Sequence, residues 1–213
     1  MKKVLGLFLL IFLGLQISFA QALSEKDKER NDLVTAKKYY AEHDKCRKLI
    51  SEKKYDEAET SCRLVVSIAE NLPRTRYMEK HSAYETLGVA FLRQHKSGEA
   101  IKYFDKSLEV GKTHLDDTDS ETGEVYFLIG QANHLLEKVG IAKDFYTKAE
   151  NAYRAAFKKI DAEELREYYP KPIINILETH LILLENAGLK DEAAKIEKRL
   201  AETKVEFAKY LEK

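Results

Sequence analysis

The stretch AYETLGVAFLRQHKSGEAIKYFDKSL, Ala83 to Leu108, sets small residues at Gly88, Ala100 and Ser107 among large ones at fixed distances. With Ala100 as origin, Ala58 lies 42 residues before it and Ala142 lies 42 residues after it. A fixed period of this size marks a repeat protein, in which each unit buries its apolar face against the next. The surroundings repeat as well: YDEAETSCRLV around Ala58, SGEAIKYFDKSL around Ala100 and VGIAKDFYTKAE around Ala142. Upstream of two markers the likeness extends, from Tyr84, Leu87, Gly88 and Phe91 to Tyr126, Ile129, Gly130 and Asn133.

Apolar residues three and four apart give each segment one helical stripe. HKSG and EKVG read as the turns between paired antiparallel helices. Where paired helices cross most closely only a small side chain fits, so Gly88 is expected to face Ala100, and Gly130 to face Ala142. Tyr84, Leu87, Phe91 and Phe104 fill the layers of one copy, and Tyr126, Ile129 and Tyr146 those of the next. Glycines isolated within helices lack the clustered turn that cradles phosphate.

The order of aromatic, Leu-Gly, aromatic, Ala, aromatic and small residue resembles the tetratricopeptide repeat. Tyr84, Leu87-Gly88, Phe91, Ala100, Phe104 and Ser107 carry it, as do Tyr126, Ile129-Gly130, Ala142, Tyr146 and Ala149. The family's usual period is about 34 residues, and 42 is similar to the lengthened repeats of kinesin light chains. The resemblance implies an all-α, right-handed solenoid of antiparallel helical hairpins with about four repeats. The first copy has Glu42, Lys45 and Cys46 where the pattern asks for an aromatic, Leu and Gly, while Tyr55, Ala58 and Val65 agree. A fourth copy is marked by Gly188 and Ala193, the latter 51 residues after Ala142, which implies a longer link. Pro73, the Asp116–Ser120 loop, and Pro170 with Pro172 supply the breaks between copies. The charged, amphipathic tail is expected to be a capping helix.

Cys46 and Cys62 are the only cysteines and lie eight residues on either side of the first turn, near Lys54. The hairpin sets them opposite one another, as a disulfide in an oxidising compartment or as two small buried thiols. A metal role is disfavoured, since two ligands do not make a structural zinc site. The loop HLDDTDSETGE gathers Asp116, Asp117, Asp119, Glu121 and Glu124 but misses the EF-hand register. Thr118 and Glu121 fit a capping box there instead. His43, His81, His95, His114, His134 and His180 form no HExxH pair, and no GxSxG elbow occurs. No catalytic set and no cofactor is expected.

The first helix of each tetratricopeptide hairpin lines a concave groove. The partner-facing positions that the resemblance implies are Tyr40, His43 and Arg47, then Glu85, Val89 and Arg93, then Phe127, Gln131 and His134. They lack the Lys and Asn pattern that clamps a C-terminal carboxylate, so a chaperone-tail adaptor is disfavoured. The implied function is a non-catalytic scaffold for a protein partner; the alternative is a cell-envelope receptor for a peptide or small ligand in the same groove.

The front end, MKKVLGLFLLIFLGLQISFAQA, reads as a signal peptide over 1–20, with cleavage after Ala20 or Ala22 and a retained anchor as the competing reading. Residues 21–36 are then a lead segment and 37–213 the repeat domain. The product is expected to be periplasmic or secreted, with no membrane span after cleavage. The chain has 36 basic and 36 acidic residues. Losing Lys2 and Lys3 leaves 34 against 36, a net charge of −2 that offers no broad field for nucleic acid.

Overall fold

The structure, a computed structural model, describes residues 2–211, with side chains from Ser24 onward. It is built of helices: α1 (Lys2–Ser51), α2 (Tyr55–Glu70), α3 (Tyr77–Arg93), α4 (Ser97–Gly111), α5 (Ser120–Leu135), α6 (Val139–Lys159), α7 (Glu163–Arg166), α8 (Pro170–Asn186), α9 (Lys190–Glu206) and α10 (Ala208–Leu211). Four hairpins, α1 with α2, α3 with α4, α5 with α6 and α8 with α9, stack in chain order. The first helices α1, α3 and α5 also touch one another along one face. The expected all-α, paired-hairpin solenoid is therefore the observed one.

The second helices are amphipathic because they bury one side. Ala58, Cys62, Val65 and Ala69 form the stripe of α2, and Ser97, Ala100, Phe104, Ser107 and Gly111 that of α4. α3 is buried on more than one side, through Ala83, Leu87, Gly88, Ala90, Phe91 and Leu92, since it lies between its own partner and the neighbouring hairpins. Ala58, Ala100 and Ala142 are all fully buried, which fixes the register of three copies.

The glycines in the helices answer to aromatic rings rather than to alanines. A Cβ placed on Gly130 would lie 2.6 Å from Cδ1 of Tyr146, and one on Gly88 2.6 Å from Cδ1 of Phe104. The expected small-against-small crossing is thus corrected: an aromatic ring closely approaches the backbone where no side chain intervenes. Ser107 is small and buried, and its hydroxyl donates to the His81 carbonyl at 2.9 Å, tying α4 to α3. In the first hairpin, Cys46 and Cys62 form a disulfide with Cα atoms 5.2 Å apart.

Each hairpin turn holds one left-handed residue: Lys53, His95, Glu137 and Gly188, with φ of 61°, 59°, 58° and 70°. The following amide donates to the carbonyl five residues back, Lys54 to Leu49, Lys96 to Phe91, Lys138 to Asn133 and Leu189 to Leu184. This bond ties off the helix end in a Schellman motif, a place usually given to glycine. Gly98 and Gly140, taken from sequence as turn glycines, lie instead inside the first turns of α4 and α6, with open space around them.

Three boundaries differ from expectation. The proposed lead segment is continuous with α1, and packing begins within it at Ala36 and continues through Tyr39, His43 and Cys46. The charged tail is mostly α9, the second helix of the fourth hairpin, followed by the short α10. It packs against α8, and the buried Glu150 carboxylate of α6, 2.7 Å from Arg154 of the same helix, reaches Arg199 of α9 at 2.9 Å. Thr118 does not open a capping box: α5 starts after Asp119, and the Thr118 amide donates to Asp116 at 2.7 Å. The proposed leader, 1–20, lies outside the residues whose side chains are described. Among the described residues, no helix is long and apolar enough to cross a membrane.

Candidate functional site

Two depressions open on the face shared by the first helices. One, about 320 Å³, lies between α1 and α3 and is lined by His43, Arg47, Ile50, Ser82, Glu85, Thr86 and Val89. Four positions expected of the groove meet there: His43, Arg47, Glu85 and Val89. The other, about 380 Å³, lies between α3 and α5 and includes Arg93, Gln131 and His134, with Tyr55, Tyr146 and Thr179 beside them.

His43 is not a groove surface residue, being only 8% exposed. Its Nε2 lies 2.9 Å from the Thr86 hydroxyl, which donates its proton to the Ser82 carbonyl at 2.7 Å. Nε2 must therefore carry the hydrogen and donate to Thr86, which makes His43 a polar link between α1 and α3. Burial, aided by the Arg47 charge, holds its pKa below the ordinary histidine value. His134 is likewise lowered by burial, with Nδ1 3.4 Å from the Tyr146 hydroxyl.

Phe127 is the clear departure. It is 6% exposed and packs against Tyr146 at 5.8 Å between ring centroids. A residue this deep stabilises α5 against α6 and presents no anchor to a partner; its position between pattern residues was misread because α5 is covered on more than one side. Tyr40 is half exposed but stands apart from both depressions, donating to Glu79 at 2.8 Å, where Arg76 also binds at 2.6 Å.

The acidic loop is used internally. Asp117 accepts from the Tyr126 hydroxyl, and Lys159 lies 3.6 Å from both Asp116 and Asp119. Among the described residues, no group of three His, Cys, Asp or Glu side chains is arranged to hold a metal ion.

Sequence reasoning missed a third hollow of about 420 Å³, lined by Glu85, Glu121, Glu124, Tyr153, Leu165 and Tyr168 among others. Its signal was the 51-residue step between the last two markers, together with the aromatic run EELREYYP that fills the extra length.

Comparison with known proteins agrees with this geometry. Residues 79–155 match the family model described as tetratricopeptide repeat. No curated protein matches the chain in sequence. Among solved structures, a protein of Podosopora anserina described as a putative kinesin light chain with nearly identical TPR-like repeats is 12% identical. The alignment covers 79% of this chain and 96% of that one, with a TM-score of 0.50. A substituted form of the same protein gives 10% identity, 80% and 96% coverage, and a TM-score of 0.49. BtubC (BKLC) from P. vanneervenii gives 10%, with 76% and 78% covered, and 0.45. The matched segment from α3 into α6 carries tetratricopeptide repeats, and the hairpins stacked in a 42-residue register give the chain a fold similar to that of kinesin-light-chain-like repeats.

Proposed function

We propose that this chain is an exported, non-catalytic scaffold that binds a protein partner through the face formed by α1, α3 and α5. The observation that carries the reading is the convergence of Arg47, Glu85 and Val89 in one depression and of Arg93, Gln131 and His134 in the next. The charges there are of both signs and lie beside apolar walls, as in the rim and core of a protein interface. The repeat family favours protein partners in general, and the leader with the Cys46–Cys62 disulfide favours an oxidising compartment, periplasmic or extracellular.

The test is capture from the native envelope fraction, comparing the protein with its Arg47→Ala, Arg93→Ala, Gln131→Ala triple variant. Arginine is prominent among residues that dominate interface energetics, so capture should fall sharply while the melting temperature stays near that of the parent. Undiminished capture would move the binding surface off this face. Intact mass of the recovered protein should place its N-terminus at Gln21 or Leu23; full-length chain in the cytosol would remove export from the reading.

A further inference from the structure

The step from Ala142 to Ala193 is nine residues longer than the repeat. The excess lies between α6 and α8, where Ile160, α7 and the tyrosines at 168 and 169 form a wall facing α3 and α5. Against that wall stand three carboxylates, Glu85 from α3 and Glu121 and Glu124 from α5, with the Tyr153 ring at their side. Leu165 and Tyr168 on the wall are 52% and 67% exposed.

Several carboxylates packed between helices elsewhere in this protein meet cations at close range. Glu59 has Lys96 and Arg63, Glu79 has Arg76, Glu150 has Arg154 and Arg199, Glu163 has Lys209, and Glu178 has Lys204. Among the described residues, no Lys or Arg makes such a pair with Glu85, Glu121 or Glu124; the nearest partner of Glu85 is the buried His81, Nδ1 to Oε2 4.0 Å. Glu124 accepts from the Tyr153 hydroxyl at 2.7 Å, and Glu121 from Ser120 at 3.0 Å, so each keeps acceptor capacity. Burial, with Glu124 and Glu121 repelling across the hollow, pushes the Glu85 carboxyl up to about 7, and Arg47 from α1 only partly opposes this. Three acids held together with aromatic and aliphatic walls match a cation on a long apolar stem. A planar guanidinium fits better than a compact ammonium, since it stacks on tyrosine faces while donating to two carboxylates.

We infer that the hollow between Glu85, Glu121 and Glu124 and the α7 wall receives an arginine side chain of a partner protein. This rests on the scaffold reading and names the chemistry of the partner that the scaffold would select. Glu85 lines both this hollow and the α1–α3 depression, so the arginine would sit beside the rest of the bound segment.

The test is an NMR titration of the purified protein at pH 7.5 with the peptide acetyl-Gly-Gly-Arg-Gly-Gly-amide and with its citrulline counterpart, which has the same shape and no charge. The arginine peptide should shift the amide signals of Glu121, Glu124, Leu165 and Tyr168 and bind about ten-fold tighter than the citrulline peptide. Glu121→Gln with Glu124→Gln keeps the hydrogen-bond acceptors and should weaken the arginine peptide about five-fold or more. Glu197→Gln with Glu202→Gln, the same charge change on α9, should leave it unaltered. Equal binding of both peptides, shifts confined to other surfaces, or equal losses in the two double variants overturns the assignment. Tighter binding of free putrescine overturns the protein occupant in favour of a small amine. Failure here with capture still sensitive to Arg47, Arg93 and Gln131 leaves the scaffold standing, whereas a positive titration with insensitive capture rejects that groove and keeps the hollow.

Discussion

The first hairpin and the two that follow solve one packing problem in different ways. Cys46 lies 42 residues before Gly88, and Cys62 lies 42 before Phe104; Gly130 and Tyr146 continue both series. At this register the two helices of a hairpin come close enough that two ordinary side chains will not fit. The middle hairpins resolve it by laying an aromatic ring on a bare glycine. The first resolves it with a covalent bridge between the same two positions. What the position demands is close approach, and the residues that supply it are interchangeable only as pairs.

The largest effect should come from filling the glycine. Gly88→Leu drives a side chain into the Phe104 ring, and the loss should reach about 3 kcal/mol, the upper end for overpacking. Chemical denaturation that leaves the midpoint unchanged would dissolve the proposed equivalence. Removing the bridge by Cys46→Ala with Cys62→Ala should lower stability by about 3 kcal/mol for a loop spanning 16 residues. Replacing the pair instead by Cys46→Gly and Cys62→Phe should recover about 1 kcal/mol of that loss through ring burial. No recovery would mean that the first hairpin cannot accept the other solution.

The same register separates the hairpins by their response to pH. His43 in the first corresponds to Glu85 in the second and Phe127 in the third. The folded-state pKa of His43 is lowered, so the unfolded chain takes up its proton first and stability falls as pH drops below about 6.5. Glu85 is raised from 4.5 to about 7, so the folded state holds its proton longer; stability falls as pH rises through that window. Glu85→Gln should remove the second slope and raise stability at pH 8 by about 1 kcal/mol or more. Thermal melts between pH 4 and 8 read both signs, and an unchanged slope would show that Glu85 titrates normally.

The smallest effects belong to the turns. His95→Gly should stabilise the second hairpin by up to about 1 kcal/mol, because a left-handed conformation is strained for a residue with a Cβ. Gly188→Ala should destabilise the fourth by a similar amount, measurable in the same denaturation series.

The repeat register was legible from the spacing of Ala58, Ala100 and Ala142 because each must be fully buried at the same place in its hairpin. The left-handed turn residues were not, since Lys53, His95 and Glu137 do what glycine usually does and only Gly188 advertises the conformation. In the candidate site, the positions that the resemblance implied include Arg47 and Arg93, which line depressions, and Phe127, which lies in the core. Periodicity gives the angle of a side chain about its own helix and says little about how many neighbours cover that helix. The α7 wall was hidden for a different reason: Leu165 and Tyr168 obey no repeat, and only the excess length announced them.

The bridge also sets how the molecule carries load. A pull applied to α1 passes through two sulfur atoms into α2, so the turn at Lys53 bears no tension while the bond is intact. The 16 residue steps enclosed by it cannot extend, and a reduced chain should stretch further by about 55 Å. Force must then open the contact between α2 and α3, since the first hairpin cannot unzip at its turn while the bridge holds, giving the stack a reinforced end.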